Sequence, residues 1–321
     1  MESFIGSLSA GEGRERGVRW SFVVLAGAVA VVSTASILIR LAQAEGASSL
    51  TIAAVRLGLA AAILAPFAWL KTRREILRLG QRELGLCLLS GLFLAIHFWT
   101  WISSLEYTSV ASSAALVTTN PLWVGLASAV LMQERPALAA IAGIALTAAG
   151  GVLIFAADSG GSGTATNPLL GNTLALVGAI SASGYLLVGR ALRARISLTA
   201  YVWLAYTVAA VLLGAAAAAS GAAPAALSVP AWGFMALLAI GPQLVGHTAF
   251  NWAVRRLTAT FVAIAILGEP VGAALLAWFF FGEGFTAVQM TGFVLLLAGI
   301  FVAAHGEEFR DAQNRKLRSK Q

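Results

Sequence analysis

The sequence predicts an all-α integral membrane protein with ten transmembrane helices arranged as two inverted five-helix repeats. Three observations lead there. Hydrophobic residues make up 59% of the 321-residue chain and charged residues 11%, and a mean hydropathy of +0.85 excludes an ordinary soluble globular domain. The chain also carries one set of landmarks twice. Asn120-Pro121, Glu134, Gly143 and Gly150 stand 149 residues before Glu269-Pro270, Glu283, Gly292 and Gly299, and with a one-residue slip Ser33, Arg40, His97 and Thr108 match Ser183, Arg190, His247 and Thr258. Finally, each copy holds five apolar stretches of about 20 residues, the length a hydrocarbon core of about 30 Å requires. An odd number of crossings sends the second copy into the bilayer from the opposite side.

The expected organisation is an N-terminal segment 1–19, a first repeat 20–157, a linker 158–168, a second repeat 169–304 and a basic, mobile tail 305–321. Residues 1–16 lack an apolar core with a cleavage site, so the first span, 20–39, reads as an uncleaved insertion signal. The second, 48–70, holds Arg56 and ends at Trp69 and the basic group Lys71, Arg73 and Arg74, with Pro66 near its end. The third, 84–105, carries the lone Cys87, which cannot form an intrachain disulfide, and then His97 and Trp101 one turn apart. The fourth, 109–132, is interrupted by Asn120-Pro121, and the fifth, 137–157, starts after Pro136 and is dominated by small residues from Ala139 to Gly151.

The polar stretch from Asp158 to Asn167 reads as the hinge between halves. Pro168 and Pro230 open the sixth (169–188) and eighth (231–253) spans, where a missing N–H matters least. The seventh, 198–219, ends in the Ala/Gly run Gly214 to Ala219, and such small residues let helices approach closely. The ninth, 259–282, repeats the interruption at Glu269-Pro270. The tenth, 286–304, carries Gly292 and Gly299, and with the fifth it reads as packing scaffold.

All charges except those of Arg56 and Glu269 fall at or beyond the span boundaries, as expected when a charge at mid-depth costs roughly 2.5–3.5 kcal/mol. Lys and Arg crowd one face, and Arg40 alone falls on the other, which predicts a cytoplasmic (inner) membrane protein with both termini in the cytoplasm. The net charge of +7 is thereby explained without nucleic acid. No Cys/His cluster has metal-ligand spacing, and no cofactor is expected. The expected partners are the lipid bilayer and a small-molecule substrate.

Pro121, Pro242 and Pro270 lie inside spans, where each frees the carbonyl four residues earlier, that of Val117, Leu238 or Ile266. Beside two of these breaks, at matched positions near the midplane, sit Asn120 and Glu269. A carboxyl there is a candidate proton carrier or an anchor for a cationic group. His97 and Trp101 share a helix face, His247 and Asn251 occupy the equivalent turn, and symmetry points both faces to one central space. Each histidine could equally serve packing alone, by bonding a neighbouring helix.

Trp123 joins Trp101 as a candidate for stacking on a substrate, and Trp252 and Tyr185 are weaker candidates of the same kind. Trp20, Trp69 and Trp232 read as interfacial anchors. Arg56, two turns from a span end, reads as a snorkelling side chain. Glu134 and Glu283, at opposite surfaces, read as helix caps or gate tethers.

From Asn120-Pro-Leu-Trp through Glu134-Arg-Pro to Gly150, and from Glu269-Pro-Val-Gly through Gly282-Glu283-Gly to Gly299, the chain resembles the drug/metabolite transporter superfamily, specifically its EamA-type ten-helix permeases. The resemblance covers residues 20 to 304. It implies a cavity lined mainly by helices 1, 3, 4, 6, 8 and 9 and alternating access by rocking helix groups. The expected function is a secondary transporter exporting a small metabolite such as an amino acid, coupled to protons through Glu269. No cluster of cavity Lys and Arg suits a phosphate. The rivals are a polytopic enzyme on lipid-linked substrates, for which no paired carboxylates or His/Asp cluster is present, and a passive channel.

Overall fold

In lipid, a backbone must satisfy its own hydrogen bonds, and the described residues are accordingly helical in every membrane-length segment, with no strand among them. The computed structural model describes residues 20–131, 138–159, 166–192, 195–222, 227–253 and 265–318. Ten helical spans follow in order. These are α1 (Trp20–Ala44), α2 (Ser49–Ile76), α3 (Gln81–Ser104), α4 in two pieces (Val110–Val117 and Asn120–Leu131), α5 (Leu138–Ser159) and α6 (Pro168–Leu192). After them come α7 (Leu198–Ala219), α8 in three pieces (Val229–Leu238, Ala239–Gly246 and His247–Ala253), α9 (Gly268–Phe281) and α10 (Ala287–Arg318). Eight have the length and apolar composition to cross a membrane, and α9 and the Ala287–Ala303 part of α10 are shorter apolar helices.

Local chemistry sets many of the helix starts. Ser48, Ser109, Ser197 and Ser228 cap α2, α4, α7 and α8 by accepting from the backbone N–H three residues on, which satisfies a donor the helix cannot. Pro230 sits in the first turn of α8. Gly282, at φ +66°, ends α9 in the left-handed conformation that favours glycine. Trp20, Trp69 and Trp232 are exposed on the outer surface, as interfacial anchors would be.

The inversion of the repeats can be read from four glycines. α5 and α10 pack along their lengths, and Gly143 meets Gly299 while Gly150 meets Gly292. Because Gly143 and Gly292 are repeat counterparts, as are Gly150 and Gly299, each contact is the other's image under a two-fold axis lying across antiparallel helices. A Cβ on Gly150 would stand 2.5 Å from the Leu296 backbone nitrogen and 2.6 Å from the Gly292 carbonyl oxygen. The same axis relates the contact of α3 with α6 to that of α8 with α1, and α2 crosses its own counterpart α7.

Four details differ from expectation. The tail does not leave the helix at residue 305, since α10 continues to Arg318 through the helix formers Glu307, Glu308, Arg310, Ala312 and Gln313. Asp158, expected to open the linker, lies inside α5 and is buried. Pro66 is interior to α2, which runs on to Ile76. Around Pro242 the helix of α8 widens into a π-helical stretch, Ala239–Gly246, which re-registers the backbone where proline lacks a donor. Segment 1–19, Glu134, Pro136, Pro224, Arg255, Arg256 and Thr258 lie outside the described residues, as do the side chains of Asn251 and Trp252.

Gly150→Ala is expected to lower stability by about 1–3 kcal/mol, because backbone cannot yield as a side chain does. Gly214→Ala, with nothing within 4 Å of its Cβ position, should be neutral or stabilise by up to about 1 kcal/mol. Thermal unfolding of the purified protein in detergent compares the two, and equal melting temperatures would contradict the α5–α10 packing.

Candidate functional site

The two interruptions fall at matched places. α4 breaks at Thr118 and Thr119 just before Asn120, and α9 breaks at Leu267 just before Gly268 and Glu269. The carbonyl freed by Pro121, that of Val117, is taken up locally. In the orientation that satisfies both ends of its amide, Asn120 donates from Nδ2 to the carbonyls of Thr118 (3.0 Å) and Val117 (3.1 Å). The hydroxyls of Thr118 and Thr119 bond the carbonyls of Ala115 and Leu116, and Thr119 Oγ1 accepts from Trp123 Nε1 at 3.1 Å.

Each break is then pinned to the other half by a serine. Ser183 Oγ on α6 donates to the Asn120 carbonyl oxygen at 3.0 Å, and Ser33 Oγ on α1 donates to that of Glu269 at 3.2 Å. Both serines also bond the carbonyl four residues back in their own helix, at 2.8 Å. Pro121 is exposed and Pro270 buried.

Between the halves lies a cluster around Arg56. Its sequence position suggested that the side chain would reach the interface. Instead it is 1% exposed, because α2 is packed between α7 and α8. Its Nε donates to Gln243 Oε1 at 2.8 Å, from the π-helical stretch of α8. Its guanidinium lies over Phe98 (4.4 Å to the ring centroid) and near Trp101 (5.6 Å) on α3.

Glu269 and Tyr206 act on its charge, and His97 and His247 lie in the same electrostatic range. Tyr206 of α7 also contacts Gln243. Yet Arg56 forms no ion pair among the described residues. Its Nη1 is buried without a hydrogen-bond partner among the described residues, and so is Nε1 of Trp101.

The structure thus brings His97, Trp101, His247 and Glu269 into one neighbourhood, whose centre is a residue read as peripheral. His97 stacks on Trp101, with centroids 5.9 Å apart and planes at 15°, and its Nδ1 meets the Gly178 carbonyl oxygen at 2.9 Å. A carbonyl only accepts, so Nδ1 carries the proton and Nε2 remains an acceptor. His247 packs edge-on against Phe250. Asn120 and Trp123 line the α4 break.

Tyr185 stacks on Tyr201 at 5.5 Å, and the Tyr201 hydroxyl bridges the Tyr185 carbonyl and Ser90. Gln243 and Tyr206 escaped the sequence reading. The one signal for Gln243 was its position beside an intramembrane proline.

One face of the bundle is closed by a polar seal. Arg40 on α1 pairs with Glu283, at the end of α9, at 3.1 Å, and its Nη2 donates to the Thr108 carbonyl at 2.7 Å. Glu283 Oε2 accepts from the Val110 N–H, the first residue of α4. It therefore tethers the two halves rather than capping the helix after it. Behind this pair, buried Asp158 accepts from Ser112, Asn172 and Gln289, and Asn172 accepts from Thr108 Oγ1.

On the basic face, Arg190, the counterpart of Arg40, is exposed and has no hydrogen bond or ion pair among the described residues. A groove of about 510 Å³ bordered by Trp20, Val24, Leu244 and Thr248 opens there between α1 and α8.

Comparison with known proteins agrees with this architecture. A protein of known crystal structure is similar at 21% identity over 89% of this chain and 96% of its own, with a TM-score of 0.60, a likeness that speaks for the fold alone. A search of curated proteins finds no match. The model of the EamA-like transporter family matches twice, over residues 19–156 and again over 169–304. Matched in both halves, the chain belongs to the EamA-like transporter family and is a multi-pass membrane transporter of the drug/metabolite type.

Proposed function

We propose that this transporter is a secondary carrier of the cytoplasmic membrane, with both termini inside, that exports a small amphipathic metabolite of the amino-acid kind by alternating access. One observation carries the reading. The two halves repeat the same gate residues on opposite faces, and the copy whose residues are all described is closed, with Arg40 bound to Glu283. An inverted repeat whose halves exchange conformations seals one face while opening the other.

In this reading His97, through Nε2, His247, Asn120 and Asn251 hydrogen-bond the substrate, Trp101 and Trp123 pack on it, and Pro121 and Pro270 shape the breaks that border it. Tyr185, stacked on Tyr201 of α7, is a further candidate for packing on the substrate. Glu269, the carboxyl beside the α9 break, takes and releases the coupling proton. Saturable counterflow distinguishes a carrier from a channel, and the polytopic-enzyme alternative has no observation in its favour. A thermal-shift screen of the purified protein against amino acids, amines and nucleosides would supply the solute for these assays, since a ligand that binds the folded form raises its stability.

Three outcomes are expected in proteoliposomes. Arg40→Glu or Glu283→Arg alone should reduce counterflow at least about tenfold, because each leaves a buried charge facing its like. The double exchange should restore most of it, and failure to do so would speak against a gating pair. Cysteines replacing Glu134 and Arg190, in a Cys87→Ser background, should form a disulfide that abolishes counterflow; undiminished counterflow with the disulfide formed would discard the second gate. Glu269→Gln should lose accumulation driven by a pH gradient, and unchanged driven accumulation would remove Glu269 from proton coupling.

A further inference from the structure

A buried guanidinium with no carboxylate partner is expensive in a protein interior. At Arg56 the compensation is partial: an amide oxygen on Nε and aromatic faces beneath the cation. What remains is specific. Two donors, Nη1 of Arg56 and Nε1 of Trp101, are buried in the same cluster without acceptors among the described residues. A carboxylate has two oxygens and a matching charge, and planar, charge-assisted recognition of this group is what arginine does best.

Glu269 lies within electrostatic range of Arg56, yet no ion pair joins them. Its backbone is fixed by Ser33 on α1, whereas Arg56 is held by Gln243 on α8. The two opposite charges thus belong to different halves of the molecule, and each residue is tied by a hydrogen bond to the half opposite its own.

We propose that Arg56 and Trp101 form a carboxylate subsite, and Glu269 an ammonium subsite, for a zwitterionic α-amino acid. The assignment rests on the carrier reading above and narrows its substrate class. An amine would neutralise Glu269 and leave Arg56 as it is. A monocarboxylate would do the reverse. A phosphate would bring two negative charges to one arginine, with Glu269 repelling it. Only a ligand bearing both signs satisfies both residues. The guanidinium edge is covered in this state, so the carboxylate reaches it as α2, α3 and α8 part, which binds substrate arrival to the rocking of the halves. His97 and Phe98 flank the same space and would border the ligand's side chain.

The test uses the full-length protein in nanodiscs and sets of matched solutes, such as L-leucine, isopentylamine and 4-methylpentanoate, or L-phenylalanine, phenethylamine and 3-phenylpropionate, within a screen of all twenty L-amino acids. At least one amino acid should raise the unfolding temperature while its amine and its acid do not. Arg56→Gln should weaken that amino acid at least about 30-fold, Arg56→Lys less, and Trp101→Phe by roughly 5- to 10-fold.

Stabilisation by the amine or the acid equal to that by the amino acid, undiminished binding to Arg56→Gln, or no response to any amino acid would each overturn the assignment. The comparison of matched solutes needs no variant, so it decides even if Arg56→Gln misfolds. Counterflow separates the two readings. A non-zwitterionic solute that binds and exchanges leaves the carrier standing and removes this subsite; an amino acid held through Arg56 that never exchanges does the opposite.

Discussion

Inside a bilayer no water is at hand to satisfy a carbonyl, an amide or a charge, so each must find its partner in the protein. The architecture follows from this constraint at every scale. Continuous stretches are helical, and the places where helices break are the places where polar side chains gather. At the α4 break the carbonyl of Val117, deprived of its usual donor by Pro121, is met by the amide of the neighbouring Asn120, and the hydroxyls of Thr118 and Thr119 bond the turn before it. At Pro242 the solution is different, a π-helical stretch that also presents Gln243 to Arg56.

The two-fold relation between halves divides the molecule into parts that obey it and parts that depart from it. The obedient parts are structural: the glycine contacts of α5 with α10, the crossing of α2 with α7, and the pair of serines that pin the two breaks. The departures cluster where a solute would be handled. Asn120 corresponds to Glu269, Trp101 to Asn251, and the π-helical stretch of α8 has a regular α3 as its counterpart. A symmetric frame gives two interchangeable states of similar energy, and an asymmetric lining lets one solute be recognised in both.

The seal of Arg40, Glu283 and Thr108 shows how such a frame can lock. A partly buried ion pair is strong only while its geometry is intact, and here the carboxylate is also held by the Val110 N–H. The Asp158 network behind it joins α4, α5, α6 and α10, so the closed face is a connected polar layer rather than a single contact. A layer of this kind opens as a unit, which suits a two-state machine better than independent bonds would.

Much of this could be read without coordinates, because hydropathy, repeat offset and proline chemistry act on residues one at a time or on near neighbours. Ten apolar spans, the antiparallel halves, the matched breaks at Asn120 and Glu269, the scaffold role of α5 and α10 and the interfacial tryptophans were all determined by the sequence itself. The position of the Arg56 side chain was not. Two turns from a helix end, that residue can reach the interface or turn inward, and the choice belongs to α3, α7 and α8, whose packing around α2 no local pattern records. The same holds for Asp158, whose three donors come from three other helices, and for Tyr185, which stacks on Tyr201 of α7. Tertiary structure decided these because the partner that satisfies a buried polar group is set by which helices meet, and that depends on the whole chain at once.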